Sequence, residues 1–135
     1  MDVCIFCKAF SGINWWWYAA ATILSFVVGG VWYSTLFSKA WIRVFKIEMG
    51  EVTVGSMVRA FSLQIAATLF LGLVFFVLTN ISAGLAFFTL IGIVGWEKAT
   101  LNFQFSNIKD FLMAVVIRAG YTFVAGIIFI LFALL

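Results

Sequence analysis

Histidine and proline are both absent from this chain of 135 residues, and only five residues are acidic. Without imidazole there is no histidine ligation of haem, zinc or copper, and the commonest general base near neutral pH is missing. Many enzyme classes fall with it. Without proline, and with hardly any polar linker, residues 1–135 are expected to form one compact unit with no soluble domain beside it. Charge is scarce, at 10% of residues, and the net charge is only +3. Cysteine is confined to Cys4 and Cys7, a C-x-x-C ahead of the first apolar run. With no second pair to relay electrons, that segment reads as a mobile, semi-apolar tail at an interface rather than a redox centre. No cofactor or metal is expected. No nucleophile stands beside a base, so the chain is not expected to be an enzyme.

Apolar residues make up 66% of the chain, and its mean hydropathy is +1.22. A soluble domain holds nearer half. The expectation is an all-α integral membrane four-helix bundle with a short interfacial amphipathic helix after helix one. The spans are expected over about 15–37, 57–79, 83–101 and 110–135, each long enough for a hydrocarbon core of about 30 Å. Trp15, Trp16, Trp17 and Tyr18 step about 100° apart on a helix, and so ring it at one depth as an interfacial belt does. The first span is expected to be retained rather than cleaved as a leader. Along it, Ala21, Ser25 and Gly29 form a small-residue stripe for close helix approach.

After this span, residues 39–48 place Lys39, Arg43 and Lys46 on one helical face and Trp41, Ile42 and Phe45 on the other, the pattern of a helix lying in a membrane surface. Gly50 and Gly55 interrupt it. In helix two, Ala60, Gln64, Thr68 and Gly72 form a stripe expected to face inward. Asn80 and Ser82 predict a tight hairpin into helix three. There Gly84, Phe88, Gly92 and Trp96 alternate gaps and knobs and are expected to mesh with a neighbouring helix. Asp110 is expected to cap helix four.

Lys39, Arg43, Lys46, Arg59, Lys98 and Lys109 fall in or beside the first and third loops, against Lys8 alone on the other side. The positive-inside rule then puts both termini outside the cytoplasm of a multi-pass inner (plasma) membrane protein. Membrane lipids are the expected partners, anionic headgroups above all. A second copy of the chain or another membrane protein is the candidate protein partner, and nucleic acid is not implied.

Asn14-Trp15 at the start of helix one, then Gly30-Val31-Trp32-Tyr33-Ser34 with Phe37, Lys39, Ala40 and Trp41 at its end, form a motif. The chain resembles domain-of-unknown-function family 1761, small bacterial membrane proteins, through this motif and more weakly through Gly92, Gly95-Trp96, Gly120-Tyr121 and Gly126. The resemblance implies a four-helix membrane fold and no established activity. Thr35-Leu36 stand where that family often carries a proline.

Glu97 lies roughly 7 Å into helix three from Asn102, and Arg118 roughly 12 Å into helix four from Asp110. With Gln64, Tyr121 and Tyr33 they form the candidate intramembrane polar site, because charge in lipid is expensive and usually finds a partner. One reading pairs Glu97 with Arg118 as a structural staple. The other makes them a proton or substrate site, with Tyr33 and Tyr121 as gate or donors. Two functions follow: a structural or accessory bundle, which the sequence favours, or a small oligomeric transporter or channel subunit using a Glu97/Arg118 site.

Overall fold

The computed structural model describes residues 4–46, 53–102 and 104–135, and among these the chain is helix and turn with no strand. The elements are α1 (Ile5–Ser11), α2 (Trp15–Val31) continued by a π turn (Trp32–Leu36), α3 (Ser38–Val44), α4 (Val54–Ile81), α5 (Ala83–Asn102) and α6 (Ile108–Ala133). Four of these, with the π turn counted into the first, are long and apolar enough to cross a membrane. The outer surface is itself apolar, with Ile23, Val27, Phe70, Phe88 and Leu131 all exposed. So much exposed hydrocarbon fits a lipid surround and not water.

Local chemistry fixes the helix ends. Asn14 caps α2, its side-chain oxygen accepting from the Trp16 and Trp17 amides at 3.2 and 3.4 Å. Thr53 and Ser56 make a reciprocal capping box at the start of α4, which satisfies two otherwise orphaned donors. At α6 the cap is Asn107, accepting from the Lys109 amide at 3.0 Å, and not Asp110, which lies inside the first turn. The helix starts earlier than expected because a cap must precede the first turn, and Asp110 there complements the helix dipole instead. Ser82 alone separates α4 from α5: its extended backbone (φ −165°, ψ 123°) ends one helix, and its hydroxyl accepts from the Leu85 amide to begin the next.

Helix α6 is the hub. It packs against α2, α4 and α5, while the α2 and α5 backbones do not come close to one another among the described residues. The four long helices therefore form a diamond with α4 and α6 on its short diagonal. Phe75, Phe76, Leu90 and Phe129 fill the centre with no exposure above 1%. Gly72 and Gly126 permit this, since an added Cβ would run into the Phe129 ring and the Leu90 side chain respectively. The Ala21, Ser25 and Gly29 stripe is buried as expected.

Three expectations are corrected. The N-terminal segment is not a free tail: α1 packs on α4, burying Ala9 and Ile13, and Asn80 Nδ2 donates to the Ala9 carbonyl at 2.9 Å. The Gly84, Phe88, Gly92 and Trp96 stripe faces outward, with Phe88 76% and Trp96 72% exposed; α5 is apolar on every face as far as Trp96, and Ala86 and Leu90 take the inner face instead. The α4 stripe is buried only at Thr68 and Gly72, because every residue from 54 to 67 is exposed and the bundle opens at that end.

The surface helix is present as α3. Lys39, Arg43 and Lys46 are exposed, Trp41, Ile42 and Phe45 are half-buried, and Val44 is buried against Leu101 and Ala114. Lys46 adopts the left-handed region at φ 50° and stops the helix. Of the expected 39–48 segment, residues 47 and 48 lie outside the described residues, as does Gly50. Gly55 does not interrupt anything, for it sits in the first turn of α4.

Candidate functional site

The expected polar residues lie in the half of the bundle nearest α3, where the end of α2 meets α6. Gly29 makes room for the Tyr121 ring: an added Cβ would lie 2.8 Å from the tyrosine oxygen. The Tyr121 hydroxyl donates to the Ser25 carbonyl at 3.2 Å. One turn on, Trp32 lies over Gly120 and donates from Nε1 to the Ile117 carbonyl at 2.9 Å. The glycines and the aromatics thus act as sockets and plugs between α2 and α6.

The π turn has a local cause. The Ser34 hydroxyl donates to the Gly30 carbonyl at 2.6 Å, competing for the acceptor that an α-helical amide would use. The Phe37 amide then reaches the Trp32 carbonyl at 3.0 Å, five residues back. The wider turn at Trp32–Leu36 is a helix irregularity of the kind that often marks functional positions. It aims Tyr33 inward, edge-on to Tyr121 at 5.4 Å between ring centroids and to Trp41 at 6.1 Å.

Glu97 takes a hydrogen bond at Oε1 from the Thr122 hydroxyl, at 3.1 Å. Its Oε2 is inaccessible and has no partner. Arg118 is exposed and is not bonded to Glu97. The packing of Leu101 with Ala114 sets Glu97 and Arg118 at the same height on antiparallel helices. Every Cα–Cβ bond tilts toward its own helix N-terminus, so Glu97 leans deeper into the bundle and Arg118 leans back toward the loop. Thr122, one turn deeper on α6, meets the carboxylate. Heights read from sequence found the level but not the direction, and Thr122 was missed for that reason.

Gln64 stands apart from this cluster. It is exposed, and its Nε2 donates to Thr68 Oγ1 at 3.4 Å while that hydroxyl donates to the Gln64 carbonyl at 2.8 Å. Among the motif residues, Asn14 caps, Trp32 and Tyr33 pack on α6 and on Tyr121, Phe37 lies against Trp32 at 5.0 Å, and Trp41 backs Tyr33. Trp15 stacks edge-on between Phe10 and Tyr18. Lys39 is exposed, and nothing in the structure explains Gly30, which has open space around it.

Among the described residues no three His, Cys, Asp or Glu side chains converge as metal ligands. Cys4 and Cys7 are free and exposed. The Cys7 backbone N–H and then its thiol hold the Cys4 thiol below its ordinary value, and the same contact pushes Cys7 up. No protein-family model matches the chain, and no curated protein or solved structure matches it.

Proposed function

We propose that this protein is a structural or accessory four-helix bundle of the bacterial inner membrane, one that works by packing against a partner in the bilayer and not by turning over a substrate. The observation that carries this reading is the outward stripe of α5. Phe88 and Trp96 project, and Gly92 and Gly95 leave open backbone between and beside them. Membrane helices associate through such close approach of backbones, since lipid supplies no hydrophobic drive between them. The centre packed with Phe75, Phe76 and Phe129 supports the same reading, because that half of a single chain holds no room for a conducting path. The partner is a second copy of the chain or another membrane protein.

Orientation belongs to the same proposal. The start of α2 and the end of α6 share one end of the bundle, where Trp17 meets Phe132, and Lys8 is the basic residue there. Lys39, Arg43, Lys46, Arg59, Lys98, Lys109 and Arg118 belong to the other half. The positive-inside rule puts that half toward the cytoplasm and both termini outside.

Photo-crosslinking from position 92 in native membranes tests the packing role. A discrete adduct from Gly92, absent when the probe stands at Ile23 on α2, is the expected result. Equal, diffuse lipid labelling from both positions would remove the α5 face as an interface. A second reading, the transporter subunit, is favoured by one observation: the partnerless Glu97 Oε2. It requires that the Glu97→Gln variant lose a measured flux while remaining folded.

A further inference from the structure

Helix α1 is short but fixed. It packs on α4, burying Ala9 and Ile13, and the Asn80 side chain holds its Ala9 carbonyl at 2.9 Å. Among the described residues no other element's backbone comes close to it. At about 100° per residue, Cys4 and Cys7 lie one turn apart on the face turned away from Ala9 and Ile13, and both are free and exposed. Ser11 shares that face, but its hydroxyl is spent on the Lys8 carbonyl at 3.0 Å. A free tail would scatter the two thiols. This helix presents them together on an uncovered face.

Spacing and surroundings give the two thiols different work. Cα atoms three residues apart on a helix are separated by about 5 Å, inside the range that a disulfide bridges, so the pair can close on itself while the docked face stays in place. The Cys7 N–H and thiol favour the Cys4 thiolate, and Cys7 beside that sulfur holds its own proton more firmly. The thiolate is the nucleophile in disulfide chemistry. Cys4 is therefore the attacking sulfur and Cys7 the resolving one. With one pair, the chain passes on two electrons once and is then restored by an outside dithiol.

We propose that Cys4 and Cys7 form a thiol–disulfide exchange site whose substrate is a disulfide presented at the α1 end of the bundle. The Cys4 thiolate, its proton lost to water, attacks one sulfur of the substrate. A bond forms between Cys4 and that sulfur, the substrate S–S bond breaks, and the second sulfur leaves as a thiolate that takes a proton from water. Cys7 then gives its proton to water and attacks the Cys4 sulfur. The first substrate sulfur leaves in turn and is protonated. Two electrons have passed from the dithiol to the substrate, which is reduced, and the pair is oxidised to the Cys4–Cys7 disulfide. The site goes beyond the packing role and is independent of it, because the dithiol lies on α1 and the docking stripe on α5.

The experiment mixes the reduced whole chain in neutral detergent with glutathione disulfide or with a disulfide-bonded peptide, quenches in acid, and reads the intact mass after alkylation. The natural chain should finish two hydrogens lighter, with both cysteines closed to alkylation and no adduct retained. Cys7→Ser should stop at one mixed disulfide, on Cys4, and Cys4→Ser should react about three- to tenfold more slowly. Both substitutions fall on exposed side chains, so the fold is kept. Adducts retained on both cysteines of the natural chain, disulfides between two chains, or equal rates in the two variants would overturn the site. So would no reaction with either disulfide. The faster of the two reagents names the source: a peptide preference assigns a protein disulfide, and a glutathione preference assigns the small-molecule pool. Failure here would leave the α5 face untouched, since crosslinking from position 92 does not depend on a thiol.

Discussion

Antiparallel helices point their side chains in opposite directions along the bundle, and this decides what Glu97 touches. Thr122 holds the carboxylate, and Arg118 turns away toward the loop. In double-mutant cycles read as thermal stability in detergent, Glu97→Ala with Thr122→Val should couple by about 1 kcal/mol. Glu97→Ala with Arg118→Gln should couple by less. A stronger coupling to Arg118 would restore the ion-pair staple. Glycines separate in the same way. Gly72→Ala and Gly126→Ala each push a Cβ into a wholly buried side chain, so each should destabilise by about 1–3 kcal/mol. Gly92→Ala meets nothing and should be neutral or stabilising by up to about 1 kcal/mol. The cysteines differ by reactivity. Cys4, held below its ordinary value by the Cys7 N–H and thiol, carries more thiolate at neutral pH, so iodoacetamide should modify it before Cys7. The gap should narrow as pH rises past the ordinary thiol range and both ionise; equal rates at pH 7 would show that the α1 contact is not kept in solution.

Each short helix has a face that only a neighbour explains. Helix α1 is docked by the Asn80 side chain on the Ala9 carbonyl, a bond of about 1 kcal/mol net. Asn80→Ala should therefore raise amide exchange over residues 5–11 and leave α4–α6 unchanged. If exchange at α1 does not move, burial of Ala9 and Ile13 is enough to hold it. Helix α3 needs no such bond, because Val44 inserts between Leu101 and Ala114 and ties the surface helix to the α5–α6 pair. The π turn links these two scales: Ser34 opens the helix ladder, and the wider turn presents Tyr33 to Tyr121 and Trp41.

At the scale of the molecule, the diamond is packed around α6 at one half and opened by α4 at the other. An impermeant thiol reagent on intact cells checks the proposed orientation, since Cys4 and Cys7 are exposed at the end assigned to the outside. Labelling should occur without lysis, and labelling only after lysis would invert the protein in the membrane.

Hydropathy by itself determined the number of long helices and their approximate limits, because a span must be apolar for about twenty residues whatever it packs against. The amphipathic pattern that begins at Lys39 was legible for an equally local reason: it depends on neighbours within a turn or two. The stripe at Ala21, Ser25 and Gly29 was also readable, since small residues at four-residue spacing allow close approach on one face. What lipid hides is the difference between inside and outside. In water an outward stripe must be polar, but in a bilayer Phe88 and Trp96 face out as readily as Phe76 and Phe129 face in, so only the tertiary structure could place the α5 stripe on the surface. It alone decided that α6 is the hub, that α4 parts from α2 below Thr68, and that Thr122 rather than Arg118 meets Glu97. These depend on the relative direction and rotation of helices far apart in the chain, which no local spacing encodes.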